Sequence, residues 1–224
     1  MGILFVDTEH PEVIDHPESG PTHRAKVAAT NDRLAALAGT ACHTRGFATI
    51  DLPEIARLAP DAIVIGGNTT DWARFDFATM HGLFEVIRTA PVPILGICAG
   101  QQLIGYAHGA AWGELGTLGP GELDPDPRFA PGRRKERGFL PVELDRRCLL
   151  FRGLDRCATF FQSHYWQLTA IPNGFDSRGS SPWSAIQAIE RRDHPVFGVQ
   201  FHPERYDETY PDGATVLRSF FSLT

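Results

Sequence analysis

The sequence predicts an α/β fold, with a mostly parallel central sheet and helices on both faces. Three apolar runs are too short for helices and are closed by Asp, Gly or Cys, which is typical of buried parallel strands; they are residues 3–6, 62–65 and 92–97. Between them, residues 22–37 and 75–87 place apolar side chains on one helical face. Because strands and helices alternate, we expect right-handed crossovers and a ligand site at the carboxyl ends of the strands.

The second half of the chain predicts more strands and two more helices. A helix is expected over residues 101–107, and a short amphipathic one over residues 214–221. Residues 113–138 are rich in Gly, Pro and charge without a sustained period, so we expect irregular structure there. The strands expected after this segment are residues 139–144, 158–161, 184–190 and 196–201.

Length and composition limit the classes of function. The 224 residues, of which 42% are hydrophobic, suffice for one sizeable core, so we expect a single domain over residues 1–224. A formal charge of −6 provides no broad positive field for a polyphosphate backbone, which argues against nucleic acid as a partner. No basic leader and no apolar stretch of membrane-spanning length is seen, so we expect a cytoplasmic protein without a membrane partner.

One of the four cysteines stands where the third apolar run ends and a helix begins. In PILGICAGQQ, Cys98 lies between Gly96 and Gly100, and such small residues permit the tight strand-to-helix turn of a nucleophile elbow. The amino terminus of the following helix favours thiolate over thiol. A buried structural cysteine is the alternative, since free Cys is among the most buried residue types.

A second motif, GVQFHPE, ends the strand expected at residues 196–201. It supplies His202 and, two residues later, Glu204. In an extended segment these side chains point the same way, so Glu204 can hold one imidazole nitrogen while the other faces the thiol. This is the logic of nucleophile, base and orienting group. For the tripeptide alone, a surface turn with a solvated glutamate is the alternative.

Together, GICAGQQ and GVQFHPE resemble the two signatures of class I glutamine amidotransferase domains, over about residues 62–224. The resemblance implies a flavodoxin-like fold and hydrolysis of L-glutamine to glutamate and ammonia. It implies that Cys98 forms a γ-glutamyl thioester, that His202 moves protons and that Glu204 orients His202. A separate synthetase or synthase that accepts the ammonia is the partner it implies.

The resemblance also implies an oxyanion hole made by the backbone N–H groups of Gly67 and Ala99. Two preorganised donors aimed at the tetrahedral oxygen are the physical requirement, and glycine lets the backbone come close. An ordinary tight turn is the alternative for Gly66 and Gly67. The sequence departs from the family here, since Asn68 replaces the usual proline and the small Ala99 replaces a bulky residue.

Further positions are implied to bind the substrate. Gly66 and Gln102 match family positions beside the glutamine, and Gln102 would bind its amino-acid portion. The segment FQSHYWQ, followed by AIPNGF, is most similar to the glutaminase domain of GMP synthetases. Ser163, His164 and Tyr165 would then contact the α-amino and carboxylate groups, largely through the backbone.

Residues 10–23 depart from the family pattern, being Pro-rich and acidic with three histidines. The spacing of His10, His16 and His23 fits no standard metal-site pattern, and no close carboxylate–histidine pair stands out. We therefore expect no metal ion and no other cofactor. A lid or a partner-docking loop is the interpretation we favour for this segment.

Residues 119–137 also depart from the family pattern, in length. A solvated basic loop is the simple interpretation, and an interface with an acidic synthase surface is the alternative. The clustered basic residues are Arg133, Arg134, Lys135 and Arg137.

Three functions remain open. The first is a glutaminase that feeds ammonia to a separate synthetase. The second is a stand-alone hydrolase of γ-glutamyl amides that uses the same cysteine, histidine and glutamate. The third is a non-enzymatic binding protein that keeps the fold without turnover, although every expected catalytic residue is present.

Overall fold

A nine-stranded mixed sheet forms the centre of the computed structural model, which describes residues 2–224. A two-stranded antiparallel sheet lies beside it. The strands are β1 Ile3–Asp7, β2 Cys42–Gly46, β3 Ala62–Ile65, β4 Ile94–Ile97, β5 Trp112–Glu114, β6 Glu136–Leu144, β7 Cys157–His164, β8 Trp166–Leu168, β9 Phe175–Ser180, β10 Ala188–Arg191 and β11 Val196–Val199. The helices are α1 Pro11–Ile14, α2 Ser19–Ala38, α3 Leu52–Leu58, α4 His81–Thr89, α5 Ala99–Ala107 and α6 Asp212–Phe221.

The strand order of the large sheet is β2-β1-β3-β4-β11-β10-β9-β6-β7. Neighbours from β2 to β11 are parallel, and neighbours from β11 to β7 are antiparallel. Every residue of β3, β4 and β11 is buried, as expected of strands that are covered on both faces. The carboxyl ends of β1, β3, β4 and β11 therefore meet at one edge, where the motifs of the sequence continue.

Helices cover both faces of the sheet, which confirms the predicted α/β fold. Adjacent strand residues point to opposite faces, and the two hydrophobic cores follow this alternation. Ile63 joins the core that contains Leu103 of α5, and Val64 joins the core that contains Leu34 of α2 and Leu217 of α6. Among residues 2–224, no helix combines the length and apolarity that crossing a membrane requires.

All four predicted helices start at other residues than expected, since α5 begins at Ala99 rather than at residue 101 and α6 at Asp212 rather than at residue 214. α2 begins at Ser19 rather than at residue 22, and α4 begins at His81 rather than at residue 75. The late start of α4 has a local cause. The Asp76 side chain accepts a hydrogen bond from the Ala78 N–H and starts a 3₁₀ turn over Phe77–Met80, which delays the α-helix.

Strand bounds differ as well. The segment 113–138, expected to be irregular, contains the end of β5 and the start of β6. β11 ends at Val199 rather than at residue 201, and β10 begins at Ala188 rather than at residue 184. The edge strand β2 has the sequence CHTRG, whose lack of apolar residues hid it from pattern analysis.

Candidate active site

The turn that carries Cys98 has the strained geometry of a nucleophile elbow. Cys98 has φ 53° and ψ −105°, a backbone conformation that residues other than glycine rarely adopt. Its N–H donates to Val199 O at 2.8 Å, so β11 holds the turn in place. A Cβ on Gly96 would lie 2.5 Å from the carbonyl carbon of Gly100, and a Cβ on Gly100 would lie 2.3 Å from the Ile65 carbonyl oxygen, which explains why both flanking positions lack side chains. The thiol is buried, and α5 begins at the next residue.

His202 and Glu204 are joined as their motif predicts. His202 Nδ1 lies 2.7 Å from Glu204 Oε1. The contact is made in a 3₁₀ turn over Pro203–Arg205 rather than in an extended segment, because the strand has already ended. Burial lowers the pKa of His202, but the negative charges of Glu204 and of the Cys98 thiolate outweigh burial and raise it to about 10. The imidazole is therefore held in its protonated form beside the thiol.

Gly67 lies directly against the side chains of Cys98 and His202. A Cβ there would stand 3.0 Å from His202 Cε1 and 3.4 Å from Cys98 Cβ. The neighbouring Gly66 N–H is already bonded to Val6 O at 3.0 Å, and the Gly66 carbonyl accepts from Thr8 Oγ1 at 3.0 Å. Gly66 is thus held at both its N–H and its carbonyl.

A buried glutamate that the sequence analysis missed anchors the segment after this turn. Glu9 is 1% exposed. Its Oε2 accepts from the N–H and hydroxyl of Thr69 at 2.8 and 2.7 Å, and its Oε1 accepts from the Thr70 hydroxyl at 2.8 Å. Because this contact spans about 60 residues of sequence, no local pattern could have revealed it. Glu9 fixes the segment that follows Gly67.

Gln102 is buried and already hydrogen-bonded. Its Oε1 accepts from Trp72 Nε1 at 2.7 Å, and its Nε2 donates to Trp166 O and to Gln200 Oε1. Gln200, which also escaped the sequence analysis, donates to the Cys98 sulfur at 3.6 Å. Hydrogen bonds therefore connect Gln102 to Gln200 and Gln200 to the Cys98 sulfur, and Gln200 belongs to the second motif, GVQFHPE.

The Ser-His-Tyr segment lies beside the thiol at the end of β7. His164 Nε2 is 2.9 Å from Glu136 Oε2 and its Nδ1 is 2.9 Å from Trp166 O, so both ring nitrogens are occupied. The Tyr165 hydroxyl donates to Asp71 at 2.7 Å; burial and this carboxylate raise the pKa of Tyr165. Contacts of His164 with a substrate would therefore use the backbone.

Two adjoining recesses open at this site. The first, of about 20 Å³, is lined by Cys98, Gln102 and the Ser-His-Tyr segment, and has room for one water molecule. The second is a cleft of about 610 Å³ that His202 and Glu204 help to line. The two share Asn68, Thr69, Phe129 and Ser163.

The structure corrects two interpretations of residues 10–23. The segment is largely helical, since it contains α1 and the first turn of α2. The sequence showed no close carboxylate–histidine pair, yet His23 Nε2 lies 2.7 Å from Asp7 Oδ2. His10 instead accepts from the Glu12 N–H at the start of α1. Within residues 2–224, no group of three or more potential ligands could hold a metal ion.

The segment 119–137 is exposed over much of its length, as expected of a solvated loop, but its clustered basic side chains are paired and one of them is buried. The Lys135 side chain is fully buried, and its ammonium lies 2.8 Å from Asp124 and donates to the carbonyls of Asp126, Phe129 and Ala130. The remaining basic side chains are held by Glu114, Glu122, Asp126 and Ser163. The contacts of Lys135 within the segment hold it in place. Phe129, which belongs to it, lines both recesses.

Comparison with known proteins agrees with this arrangement. The family model described as glutamine amidotransferase class-I matches residues 36–223. A glutamine-hydrolyzing GMP synthase of Lactococcus lactis subsp. cremoris is 32% identical over 168 residues, which are 75% of this chain and 28% of that protein. The chain thus spans about a quarter of the length of the Lactococcus enzyme. A glutamine-hydrolyzing GMP synthase subunit of Methanothermobacter thermautotrophicus is 28% identical over 78% of this chain and 81% of that protein.

Solved structures show the same fold. A protein of Thermoplasma acidophilum described as a GMP synthase subunit superimposes with a TM-score of 0.72 at 22% identity, covering 100% of this chain and 94% of that one. A glutamine amidotransferase of Thermotoga maritima gives a TM-score of 0.63 at 18% identity, covering 97% and 95%. With the family model matched over most of its length, the chain belongs to the class I glutamine amidotransferases, as its two motifs predicted.

Proposed function

We propose that the chain is a glutaminase that hydrolyses L-glutamine through a γ-glutamyl thioester on Cys98. The observation that carries the proposal is the convergence of three elements on one point. The strained turn after β4 presents Cys98, the 3₁₀ turn after β11 presents the His202–Glu204 pair, and Gly67 lies against both. Nucleophile, proton carrier and oxyanion donor are then in the arrangement that acyl transfer requires.

The thiolate attacks the side-chain carbonyl carbon of glutamine. Negative charge develops on the carbonyl oxygen, and the N–H groups of Gly67 and Ala99 stabilise it. His202, protonated beside Glu204, gives its proton to the leaving nitrogen, and ammonia departs. Neutral His202 then takes a proton from water, which attacks the thioester and releases glutamate. Glutamine, water and enzyme thus yield glutamate, ammonia and enzyme.

We further propose that the ammonia is delivered to a separate synthetase. The Methanothermobacter relative supports this, because its name describes one part of a glutamine-hydrolyzing synthase rather than the whole enzyme. The similarity to about a quarter of the Lactococcus enzyme supports the same division of labour.

We also propose that residues 1–224 act as one domain, since α6 packs against the same sheet that β1 helps to build.

Trapping of the acyl-enzyme tests the thioester directly. The purified chain is incubated with glutamine and hydroxylamine, and γ-glutamyl hydroxamate, glutamate and ammonia are quantified. We expect all three products from the wild type and none from Cys98→Ser. Equal product formation by Cys98→Ser would contradict the proposal. A Cys157→Ser variant is the matched control, because Cys157 is exposed and remote in the fold from β4.

A further inference from the structure

The cleft beside His202 is much larger than the reaction with glutamine requires. It has a volume of about 610 Å³ and is lined by the end of β1, by α2 and by the segment that carries His202 and Glu204. Ammonia needs about the space of one water molecule, roughly 30 Å³. In the proposed reaction His202 donates the proton to the leaving nitrogen, and His202 lines this cleft. The leaving amine therefore departs towards a cavity with room for a substituent much larger than ammonia.

Basic side chains line this cleft, and several lack a neutralising carboxylate. Arg205 stacks on Phe161, with its guanidinium carbon 3.6 Å from the ring centroid, and among residues 2–224 it forms no ion pair with a carboxylate. Arg33 donates to two neutral carbonyls, those of Glu204 and Tyr206, at 3.0 and 2.7 Å. The positive charges of Arg33 and Arg205 therefore remain available to an anion.

The three arginines of the cleft are close enough to repel one another. Burial lowers the pKa of Arg205; Glu204 opposes this effect, whereas the charges of Arg137 and Arg33 lower the pKa further. Arg137 is shared between Asp126 and Ser163. An anion placed among these groups would relieve the repulsion and gain charge-assisted hydrogen bonds.

The acidic side chains of the cleft are committed to other partners. Asp7 pairs with His23, Glu9 binds Thr69 and Thr70, and Glu204 binds His202. Asp207 accepts from two backbone N–H groups, at 2.9 and 2.8 Å. Glu204 offsets part of the charge of Arg205. None of these four carboxylates forms an ion pair with Arg33 or Arg205, so part of the positive charge of the two arginines is left for an anion.

We propose that this cleft binds an anionic leaving group, so that the enzyme also hydrolyses γ-glutamyl amides whose amine carries a carboxylate. The inference rests on the Cys98 chemistry proposed above. The thiolate forms the S–C bond, the C–N bond breaks, and the amine leaves with the proton of His202. Water then cleaves the thioester, so that one amide and one water give glutamate and a free amino acid. No further reactant is needed.

Matched substrates test the proposal. We would measure kcat/KM for γ-glutamylglycine and γ-glutamyl-β-alanine and for their terminal carboxamides, which differ only in lacking the negative charge. We expect at least one carboxylate to be preferred about tenfold over its carboxamide, as a charged hydrogen bond provides. Arg205→Gln should reduce that ratio to near one. Arg156→Gln removes the same charge from an exposed side chain elsewhere and should preserve the ratio.

The carboxamides are the internal control for folding, because a misfolded variant loses activity on both members of a pair. Equal rates for carboxylate and carboxamide in the wild type would overturn the inference, and so would an unchanged preference in Arg205→Gln. Glutamine is assayed in parallel. Hydrolysis of glutamine without any preference among the conjugates rejects the anion site alone, whereas no hydrolysis of any substrate rejects the proposed function as well.

Discussion

The charges of Glu204 and of the Cys98 thiolate both raise the pKa of His202, and Glu204 acts through a contact of 2.7 Å. Replacing Glu204 by Gln removes one of these two charges while keeping the shape of the side chain. We expect kcat for glutamine to fall about 10²-fold, and the basic limb of its pH profile to move down from about pH 10. Glu208→Gln is the control, since Glu208 is exposed. An unchanged pH profile in Glu204→Gln would be inconsistent with this role.

The His23–Asp7 pair makes a prediction about stability. The hydrogen bond to Asp7 raises the pKa of His23 above its ordinary value, although burial opposes the change. The stabilisation that comes from a raised folded-state pKa is fully present at pH values below the unfolded-state pKa of about 6.5. It is lost as the pH rises above the folded-state pKa. His23→Gln should therefore cost about 1 kcal/mol at pH 6, after discounting for solvent screening, and less at pH 8.5.

Urea unfolding of the wild type and of His23→Gln, at pH 6 and at pH 8.5, measures the difference in the free energy of unfolding. His43→Gln, which changes an exposed histidine on β2, provides the comparison. A loss of stability in His23→Gln that is equal or larger at pH 8.5 would show that the pair does not act through the charge of His23.

At the residue scale, the sequence predicted what local motifs encode. Cys98 and His202 stand in motifs that also contain Gly96, which permits the tight turn, and Glu204, which contacts the imidazole. Glu9 and Gln200 could not be assigned in the same way. The first binds a segment about 60 residues later and the second reaches the thiol across about 100, so only the fold brings these partners together.

At the scale of elements, the turn after β3 leaves little room for a side chain beside Cys98 and His202. Gly67→Ala places a methyl group 3.0 Å from His202 Cε1 and 3.4 Å from Cys98 Cβ, so it must displace the imidazole or the oxyanion donor. We expect glutaminase activity to fall at least 10²-fold, the usual cost of losing one oxyanion donor, with little change in stability. Gly46→Ala is the control, because a Cβ there would contact nothing within 4 Å. Comparable activity in the two variants would argue against a role for this turn.

Elements were predictable where burial imposes a continuous apolar pattern. The strands β3 and β4 are buried throughout, and their apolar runs marked them in the sequence. The edge strand β2 is only partly buried, so its polar residues gave no signal. α4 began later than predicted because the apolar residues before it belong to a 3₁₀ turn, and hydrophobic spacing alone does not distinguish the two.

At the scale of the whole molecule, one buried ammonium holds the segment that covers the site. Lys135→Met keeps the apolar stem but leaves Asp124 and three carbonyls without their donor. We expect trypsin to cleave at Arg128 at least about tenfold faster, equivalent to roughly 1.4 kcal/mol of easier local opening. Lys26→Met, at an exposed position of α2, should cleave like the wild type. Equal resistance of Lys135→Met would mean that the segment is held by other contacts.

The alternation of strands and helices and the two motifs predicted the overall architecture. They did not predict the order of the strands in the antiparallel half of the sheet. Nothing local specifies that β9 lies between β10 and β6, because that arrangement follows from long-range pairing. The large cleft was equally hidden, since its walls come from α2, from the turn after β3 and from the segment after β11.

Labelling by a glutamine-shaped electrophile tests whether Cys98 is an activated nucleophile in a glutamine pocket. Burial raises the pKa of Cys42 to about 11 and that of Cys148 to about 12, which makes both thiols poor nucleophiles, while Cys157 is exposed to any reagent. The chain is treated with 6-diazo-5-oxo-norleucine, and the adduct is located by intact-mass and peptide analysis. The account predicts one adduct, on Cys98, that excess glutamine suppresses and Cys98→Ser lacks. Labelling of Cys157 instead, or labelling that glutamine does not suppress, would contradict it.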